Sequence, residues 1–401
     1  MIIKNGLVFT LKNRGSFEPL TIETEGDKIV RVIPADDTKD CTEAALSEKE
    51  FIDATDCYVI PGLVDIHFHG AMGADFSDGT TEALKTICKY ELQNGITDIC
   101  PATMTISQPE IEQVISSAVT FTQEQQAHAA TAAKDLDCFS DPVPSSYSDV
   151  IGIHLEGPFL SPEKAGAQNP DFILPPDSLL IEKWLDMSQG LLRLMTVAPE
   201  LPGALDCIKQ FENKINFSMG HTTADYDTAL AAIQAGANHI THLYNAMPGL
   251  NHRSPGVIGA ATDSETCMVE LICDGIHVAP AVVRSTFKLF GDDRVLLISD
   301  SIRATGMPDG TYSLGGQAVT VRNGKATLKG ETIAGSVTNL YACMVNAVKM
   351  GVPLPSAIKA STINPCKSIG AEKTLGSIEA GKKAHLLLID KETLSIKRII
   401  K

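Results

Sequence analysis

Between residues 62 and 299, short apolar and β-branched runs recur along the chain: Gly62–Ile66, Thr97–Ala102, Val150–Leu155, Leu192–Ala198, Ile215–Met219, His239–Leu243, Met268–Cys273 and Val295–Ser299. Continuous apolar runs separated by helix-length stretches are the pattern of parallel strands buried on both faces. Most of the intervening stretches hold a helix. Over Thr223 to Gly236, Tyr226, Leu230 and Ile233 share one face and Gly236 supplies a stop. Eight such units in series predict an α/β chain folded as a (β/α)8 barrel, which gathers its chemistry at the C-terminal ends of the strands.

The two ends of the chain follow another rhythm. Ile2–Thr10 and Lys28–Ile33 read as strands parted by turn residues such as Gly26-Asp27, and Ala384–Asp390 and Leu394–Ile400 read as strands at the far end. This predicts a small β-sandwich domain formed from both termini, residues 1–60 plus 372–401, beside a barrel spanning 61–371. The polar stretch Asp36–Glu50 reads as a loop or short helix. Residues 108–148 begin as a helix and end in a Ser-Asp-Pro-rich loop. Residues 312–330 read as a β-hairpin insertion, with Arg322-Asn323-Gly324-Lys325 as its turn.

Composition narrows the partners. The 401 residues include 33 basic and 49 acidic side chains, a net charge of −16. That balance argues against nucleic acid and anionic membrane surfaces, which need an extended basic face. A small anion is not excluded, because a phosphate needs only one or two local cations and a few N–H donors. No apolar run reaches the length of a membrane span, and Met1–Gly6 lacks the apolar core of a signal peptide. The ten cysteines, at 41, 57, 88, 100, 138, 207, 267, 273, 343 and 366, form no C-x-x-C pair and sit mostly in apolar runs. They read as buried thiols in a reducing cytoplasm.

Candidate chemistry clusters at the ends of the predicted strands. The first ends in Asp65-Ile66-His67-Phe68-His69, the third in His154-Leu155-Glu156, the fifth in Gly220-His221, the sixth in Thr241-His242 and the eighth in Ser299-Asp300. Residues i and i+2 of a strand face one side, so His67 and His69 reach a single ion. Imidazole and carboxylate ligands suit Zn²⁺, Fe²⁺ or a similar divalent ion. On this reading Glu156 bridges two ions, His221 and His242 complete the second site, and Asp300 is the base or proton shuttle beside activated water. A lone H-x-H is weak evidence, and a lone strand-end histidine is more often a satisfied polar residue; convergence on one rim is what carries the reading. His128, in a polar helix, and His385, in the terminal β domain, stay outside it. His154 shares a side with Glu156, but packing is the simpler role.

At this point the chain resembles a known family. Val59–Gly70 looks like the barrel entry of the amidohydrolase superfamily. His154-Leu155-Glu156-Gly157-Pro158-Phe159, Gly220-His221-Thr222, His242–Met247, Cys273–Val278, Ile298–Ser301, Gly306–Gly316 and Ile333–Ser336 resemble the N-acetylglucosamine-6-phosphate deacetylase family, nearly end to end and in order. The resemblance implies hydrolysis of the acetamide of N-acetyl-D-glucosamine 6-phosphate to D-glucosamine 6-phosphate and acetate, in amino-sugar catabolism. Asp300 would take a proton from water and give it to the departing amine. It further implies that Asn245 and the backbone of Ala246 meet the phosphate. Arg253 would pair with it across a homodimer interface. His277 would hold sugar hydroxyls, and Ile333, Ala334 and Gly335 would line the acetyl side. Two features set this chain apart from other members. Some lack the H-x-H pair and hold one metal, whereas His67 and His69 are present here, so one or two ions per subunit are expected. Gln168 stands where others place a substrate-contacting histidine, which removes any charge-assisted contact from that position. The rival readings are the N-acetylgalactosamine 6-phosphate epimer as substrate, a cyclic amide or imide hydrolase, and an inactive barrel kept as a scaffold. Glu156, Asn245 and Arg253 argue against the second, and the complete ligand set with Asp300 argues against the third.

Overall fold

The computed structural model describes residues 1–36, 50–134, 146–329 and 331–401, with backbone alone over 128–134. Most of the Asp36–Glu50 stretch, the predicted loop after residue 134, the His128 side chain, Cys41 and Cys138 lie outside the described residues.

The eight predicted runs form parallel strands in sequence order: β1 (Leu63–Asp65), β2 (Ile96–Ile99), β3 (Ile153–Glu156), β4 (Leu192–Val197), β5 (Asn216–Met219), β6 (Ala237–Ile240), β7 (Met268–Ile272) and β8 (Val295–Ile298). β3 to β8 pair successively, and β2 pairs with β1. Between β2 and β3 the ladder is carried by offset segments. Ala102–Thr103, beyond Pro101, pairs with β3, and Asp149–Val150 pairs with β2. Proline has no N–H to donate, so the second strand is split where the sequence suggested one run. β8 meets β1 through side chain and post-strand backbone: Ser299 Oγ donates to Asp65 Oδ2 (2.6 Å), and Asp300 N donates to His67 O (2.9 Å). The fold is thus a (β/α)8 barrel with a separate sheet drawn from both termini.

Helices cover the outside as their patterns require. The helix Tyr226–Ala235 is capped by Asp225, whose carboxylate accepts from Thr228 N, and stops at Gly236 in the left-handed region. Its fully buried positions are Ala229 and Ala232, while Tyr226, Leu230 and Ile233 are half-buried against the main core. Small residues let this helix lie close to the strands. The predicted hairpin is a three-stranded meander, Gly310–Leu314, Gln317–Arg322 and Lys325–Thr327. Its second turn is Asn323-Gly324, as expected. The first is Gly315-Gly316, where both residues have positive φ.

In the terminal sheet the strand Ser16–Glu25 pairs at its start with Leu7–Thr10 and further on with Ile2–Lys4, so one long strand turns the sheet around its own core of Ile3, Val8, Ile22, Val59, Leu386 and Leu388. It is fastened to the barrel through polar side-chain contacts. His385 Nδ1 lies 2.8 Å from Asp98 Oδ2, and Asp149 receives Lys383 (2.7 Å) and Lys401 (2.6 Å). The helix Ile363–Ser368 closes the N-terminal mouth of the barrel, with Cys366 packed among Leu194, Met268, Leu296 and Ile298. Among the described residues no helix is long and apolar enough to cross a membrane.

One side chain works against this packing. Glu91, on the helix Thr81–Gln93, is fully buried, and neither carboxylate oxygen has a hydrogen-bond partner among the described residues. Burial, with the Asp65 charge behind it, pushes its carboxyl well above the ordinary 4.5. The folded protein therefore keeps this proton after the unfolded chain has lost it, and stability falls as pH rises through and beyond the unfolded value. Glu91→Met is expected to stabilise the fold by about 1–3 kcal/mol at pH 8, with a smaller gain at pH 5. Denaturant unfolding at both pH values checks this; an equal gain at both would refute the titration argument.

Candidate metal centre and active site

The inside of the barrel is lined by an unusual polar set for buried strands: Asp65, His67, His154, Glu156, His239, Glu270 and Ser299 are all essentially inaccessible. Around Glu156, at the end of β3, imidazoles arrive from three other strand ends. Glu156 Oε1 lies 3.1 Å from His221 Nε2, 3.1 Å from His242 Nε2 and 3.3 Å from His67 Nε2. Its Oε2 lies 3.3 Å from His69 Nε2. Asp300 Oδ1 stands 3.3 Å from His69 Nε2 and 3.9 Å from His67 Nε2. The five ligands named from the sequence and Asp300 are therefore brought together.

Backbone conformation aims several of these side chains. His221, His242 and Asp300 each lie two residues beyond a strand end and have φ of 46°, 28° and 48°. Non-glycine residues rarely adopt the left-handed region, and such strain concentrates at functional sites. Hydrogen bonds fix the ring tautomers. His69 Nδ1 donates to Ala102 O (3.1 Å) and His221 Nδ1 to Lys164 O (2.8 Å). A carbonyl only accepts, so the proton sits on Nδ1 and the Nε2 lone pair faces Glu156.

The residues fit a divalent ion on the site's own observations. His221 Nε2 and His242 Nε2 approach to 3.0 Å, so either a proton or a cation lies between them. His67 Nε2 is buried with no hydrogen-bond partner among the described residues. Two overlapping triads, His67–His69–Glu156 and Glu156–His221–His242, have their ligand atoms within 4.8 Å of one another. The electrostatics also call for positive charge. Burial opposes protonation of His69, yet the Asp300 and Glu156 carboxylates raise it to about 10. Burial likewise opposes a charge on Glu156, and the surrounding histidines hold its carboxyl well below the ordinary range. A bound cation would replace those protons.

A cavity of about 520 Å³ opens over this cluster, lined by His69, Glu156, Gln168, His221, His242, Asn245, Ala246, His277, Asp300, Ile333 and Gly335 among others. Ala334 is buried behind it, its N–H spent on Ala326 O (3.1 Å). Arg253 is not among the residues lining the cavity and is exposed in the loop Asn251–Ser254. Asn245 turns its amide onto the carbonyls of His242 and Leu243 (3.2 Å each). Gln168 is buried, donating to Glu156 Oε2 (2.5 Å) and accepting from Thr105 N (2.6 Å), so its amide steadies the central carboxylate as well as facing the cavity. Gly335 has φ +61°, and a Cβ there would meet Ile302 at 2.6 Å and Asp300 O at 3.0 Å, so no side chain is tolerated beside Asp300.

Several residues escaped the sequence reading. Asp274 accepts from Ile276 N and His277 N on Oδ1, and its Oδ2 lies 2.7 Å from His277 Nδ1. Burial lowers the His277 imidazole, but the Asp274 bond outweighs it and holds the ring above its ordinary value. The D-x-x-H spacing was the available signal. Glu270 and His239, both inside the barrel, were hidden in strands read as apolar. His154 takes the packing role: its nitrogens meet Ile66 O (3.3 Å) and Thr196 Oγ1 (2.8 Å), and burial lowers it to about 3, with the His67 charge adding to the shift.

Comparison with known proteins agrees with this geometry. The model of the amidohydrolase family matches residues 58–401. An N-acetylglucosamine-6-phosphate deacetylase of Bacillus subtilis (strain 168) is 35% identical over 86% of this chain and 83% of its own length. An N-acetylgalactosamine-6-phosphate deacetylase of Escherichia coli O157:H7 is 31% identical over 82% and 83%. The crystal structure of N-acetyl-D-glucosamine-6-phosphate deacetylase from Mycobacterium smegmatis superposes with a TM-score of 0.86 at 30% identity, covering 100% of this chain and 98% of that one. With a barrel, a shared carboxylate among four imidazoles and a strand-eight aspartate all in place, the chain belongs to the amidohydrolase family, in its N-acetylglucosamine-6-phosphate deacetylase branch.

Proposed function

We propose that the protein hydrolyses the acetamide of N-acetyl-D-glucosamine 6-phosphate, releasing D-glucosamine 6-phosphate and acetate. The observation that carries this is the convergence of His67, His69, His221 and His242 on Glu156, with Asp300 beside them at the floor of a cavity sized for a sugar phosphate. Glu156, His221 and His242 would hold one divalent ion, Zn²⁺ or Fe²⁺, and His67 and His69 with Glu156 would hold a second where two ions bind. Bound there, a divalent ion would supply polarisation of the acetamide carbonyl and acidification of water. Asp300 accepts the proton of the attacking water and returns it to the amine nitrogen as the C–N bond breaks. His277, tethered by Asp274, orients the sugar, Gln168 and the Ile333–Gly335 segment border the acetyl group, and Asn245 with the Ala246 backbone faces the phosphate. Arg253 completes the phosphate site of a partner subunit in a homodimer, which accounts for its exposure and its absence from the lining of its own chain's cavity. Among the described residues, eight buried free cysteines support a reducing compartment, the cytoplasm.

The Escherichia coli relative gives one reason to weigh the C4 epimer. Acetate release from both sugar phosphates by protein of measured metal content tests the reading. The glucosamine epimer is expected to be favoured by at least about tenfold in kcat/KM, a discrimination of roughly 1.4 kcal/mol. Metal-replete protein that releases acetate from neither would overturn the proposal, and a preference for the galactosamine epimer would reassign the substrate.

A further inference from the structure

Glu270 sits in the middle of β7, fully buried inside the barrel. Its carboxylate gathers three donors. Oε2 lies 2.7 Å from His67 Nδ1 and accepts the His242 backbone N–H at 2.9 Å, and Oε1 lies 2.9 Å from His239 Nε2. His239 Nδ1 in turn meets Ser368 Oγ at 2.6 Å, on the helix that closes the opposite mouth of the barrel. We propose that Glu270 is a positioning residue shared by both halves of the metal centre: through His67 it aims one ligand of the His67–His69–Glu156 triad, and through the His242 backbone it fixes one ligand of the Glu156–His221–His242 triad.

This inference rests on the metal reading above, and the geometry argues for it ligand by ligand. His69 and His221 are each oriented by a carbonyl on Nδ1, and neither needs Glu270. His67 has no carbonyl on Nδ1; the Glu270 carboxylate is its orienting acceptor, leaving Nε2 turned to Glu156 Oε1 at 3.3 Å. His242 Nδ1 has no hydrogen-bond partner among the described residues. Its ring is placed instead by its backbone, held at φ 28° with its N–H on Glu270. Removing that one carboxylate would release a ligand on each side of Glu156.

Two conservative variants separate position from charge. In Glu270→Gln the amide oxygen takes the place of Oε2, facing His67 and His242. The amide NH₂ then donates to His239 Nε2, whose proton moves to Nδ1 and is donated to Ser368 Oγ. Glu270→Asp keeps the charge but withdraws the carboxylate by about one C–C bond, roughly 1.5 Å. Zinc titration of the metal-free proteins against a chromogenic chelator reads affinity and stoichiometry directly. Gln is expected to bind within about threefold of the unaltered protein, and Asp about 10–100-fold more weakly, the usual cost of losing an outer partner of a metal-bound histidine. Asp binding as tightly as Gln, or more tightly, overturns the proposal. If either variant fails to fold, ¹⁵N spectra of the zinc-loaded, histidine-labelled unaltered protein decide: the His67 proton must sit on Nδ1, and finding it on Nε2 overturns the proposal. Unaltered protein that binds no zinc removes the metal reading and this inference together, whereas zinc binding insensitive to both variants removes this inference alone.

Discussion

Asp300→Asn is expected to keep the metal and lose turnover, with kcat falling by about 10³–10⁴-fold, the upper range for removal of a general acid–base group. The substitution is nearly isosteric, and asparagine is among the few residues that accept the left-handed backbone seen at φ 48°. The backbone that places the residue is untouched: Asp300 N still donates to His67 O (2.9 Å), and Asp300 O still accepts from Ser336 N (2.7 Å). What disappears is an oxygen able to take a proton from water and hand it to the leaving nitrogen. An amine departs poorly without that proton, so both halves of the reaction suffer from one change. Metal content by elemental analysis, measured beside kcat on N-acetyl-D-glucosamine 6-phosphate, separates this outcome from simple loss of the site. Turnover within tenfold of the unaltered protein would end the assignment of Asp300 as proton carrier.

How much of this was legible in the sequence depends on what each residue type advertises. The barrel showed itself because its strands are buried on both faces and therefore read as apolar runs. The candidate site residues stood out because His67 and His69 keep period-2 spacing and His221, His242 and Asp300 fall at or just past the ends of the strands. The same logic hid Glu270. Met268-Val269-Glu270-Leu271-Ile272 reads as a core strand, and its single charged residue is fully buried. A lone carboxylate inside an apolar strand is itself a signal, since burying it charged is costly unless a partner compensates, and without one it stays protonated as Glu91 does. That partner, His67, lies 203 residues away, and one sequence without its fold does not place the two together. The positive φ values of His221, His242 and Asp300 were equally silent, because no glycine marks those turns. Gly315-Gly316, by contrast, offered a turn signal that the reading of 312–330 as a single hairpin passed over, and with it the third strand of the insertion. The role of Gln168 was half legible: its position pointed to the cavity, but its bond to Glu156 follows only from the approach of the loop that carries it.

Glu156→Gln should separate ligand from proton carrier by failing in the opposite way to Asp300→Asn. Glu156 is the one group common to both triads, and its two oxygens serve different histidines: Oε1 faces His67, His221 and His242, while Oε2 faces His69 and the Gln168 amide. A glutamine keeps the shape but replaces one oxygen with an NH₂ that binds no cation. Either orientation loses something. With its NH₂ in place of Oε1 it points N–H bonds at the three imidazole lone pairs; with its NH₂ in place of Oε2 it opposes the Gln168 donor. The negative charge that favours a cation among four neutral imidazoles is lost in both cases. Metal affinity is therefore expected to fall by more than about 100-fold, beyond what loss of an outer partner costs, and acetate release to fall with it. Raising the zinc concentration should restore part of the activity of Glu156→Gln and none of that of Asp300→Asn. If Glu156→Gln kept its metal at stoichiometric zinc, the shared-carboxylate centre would be wrong, and the four histidines would need another anion to explain why their Nε2 atoms meet.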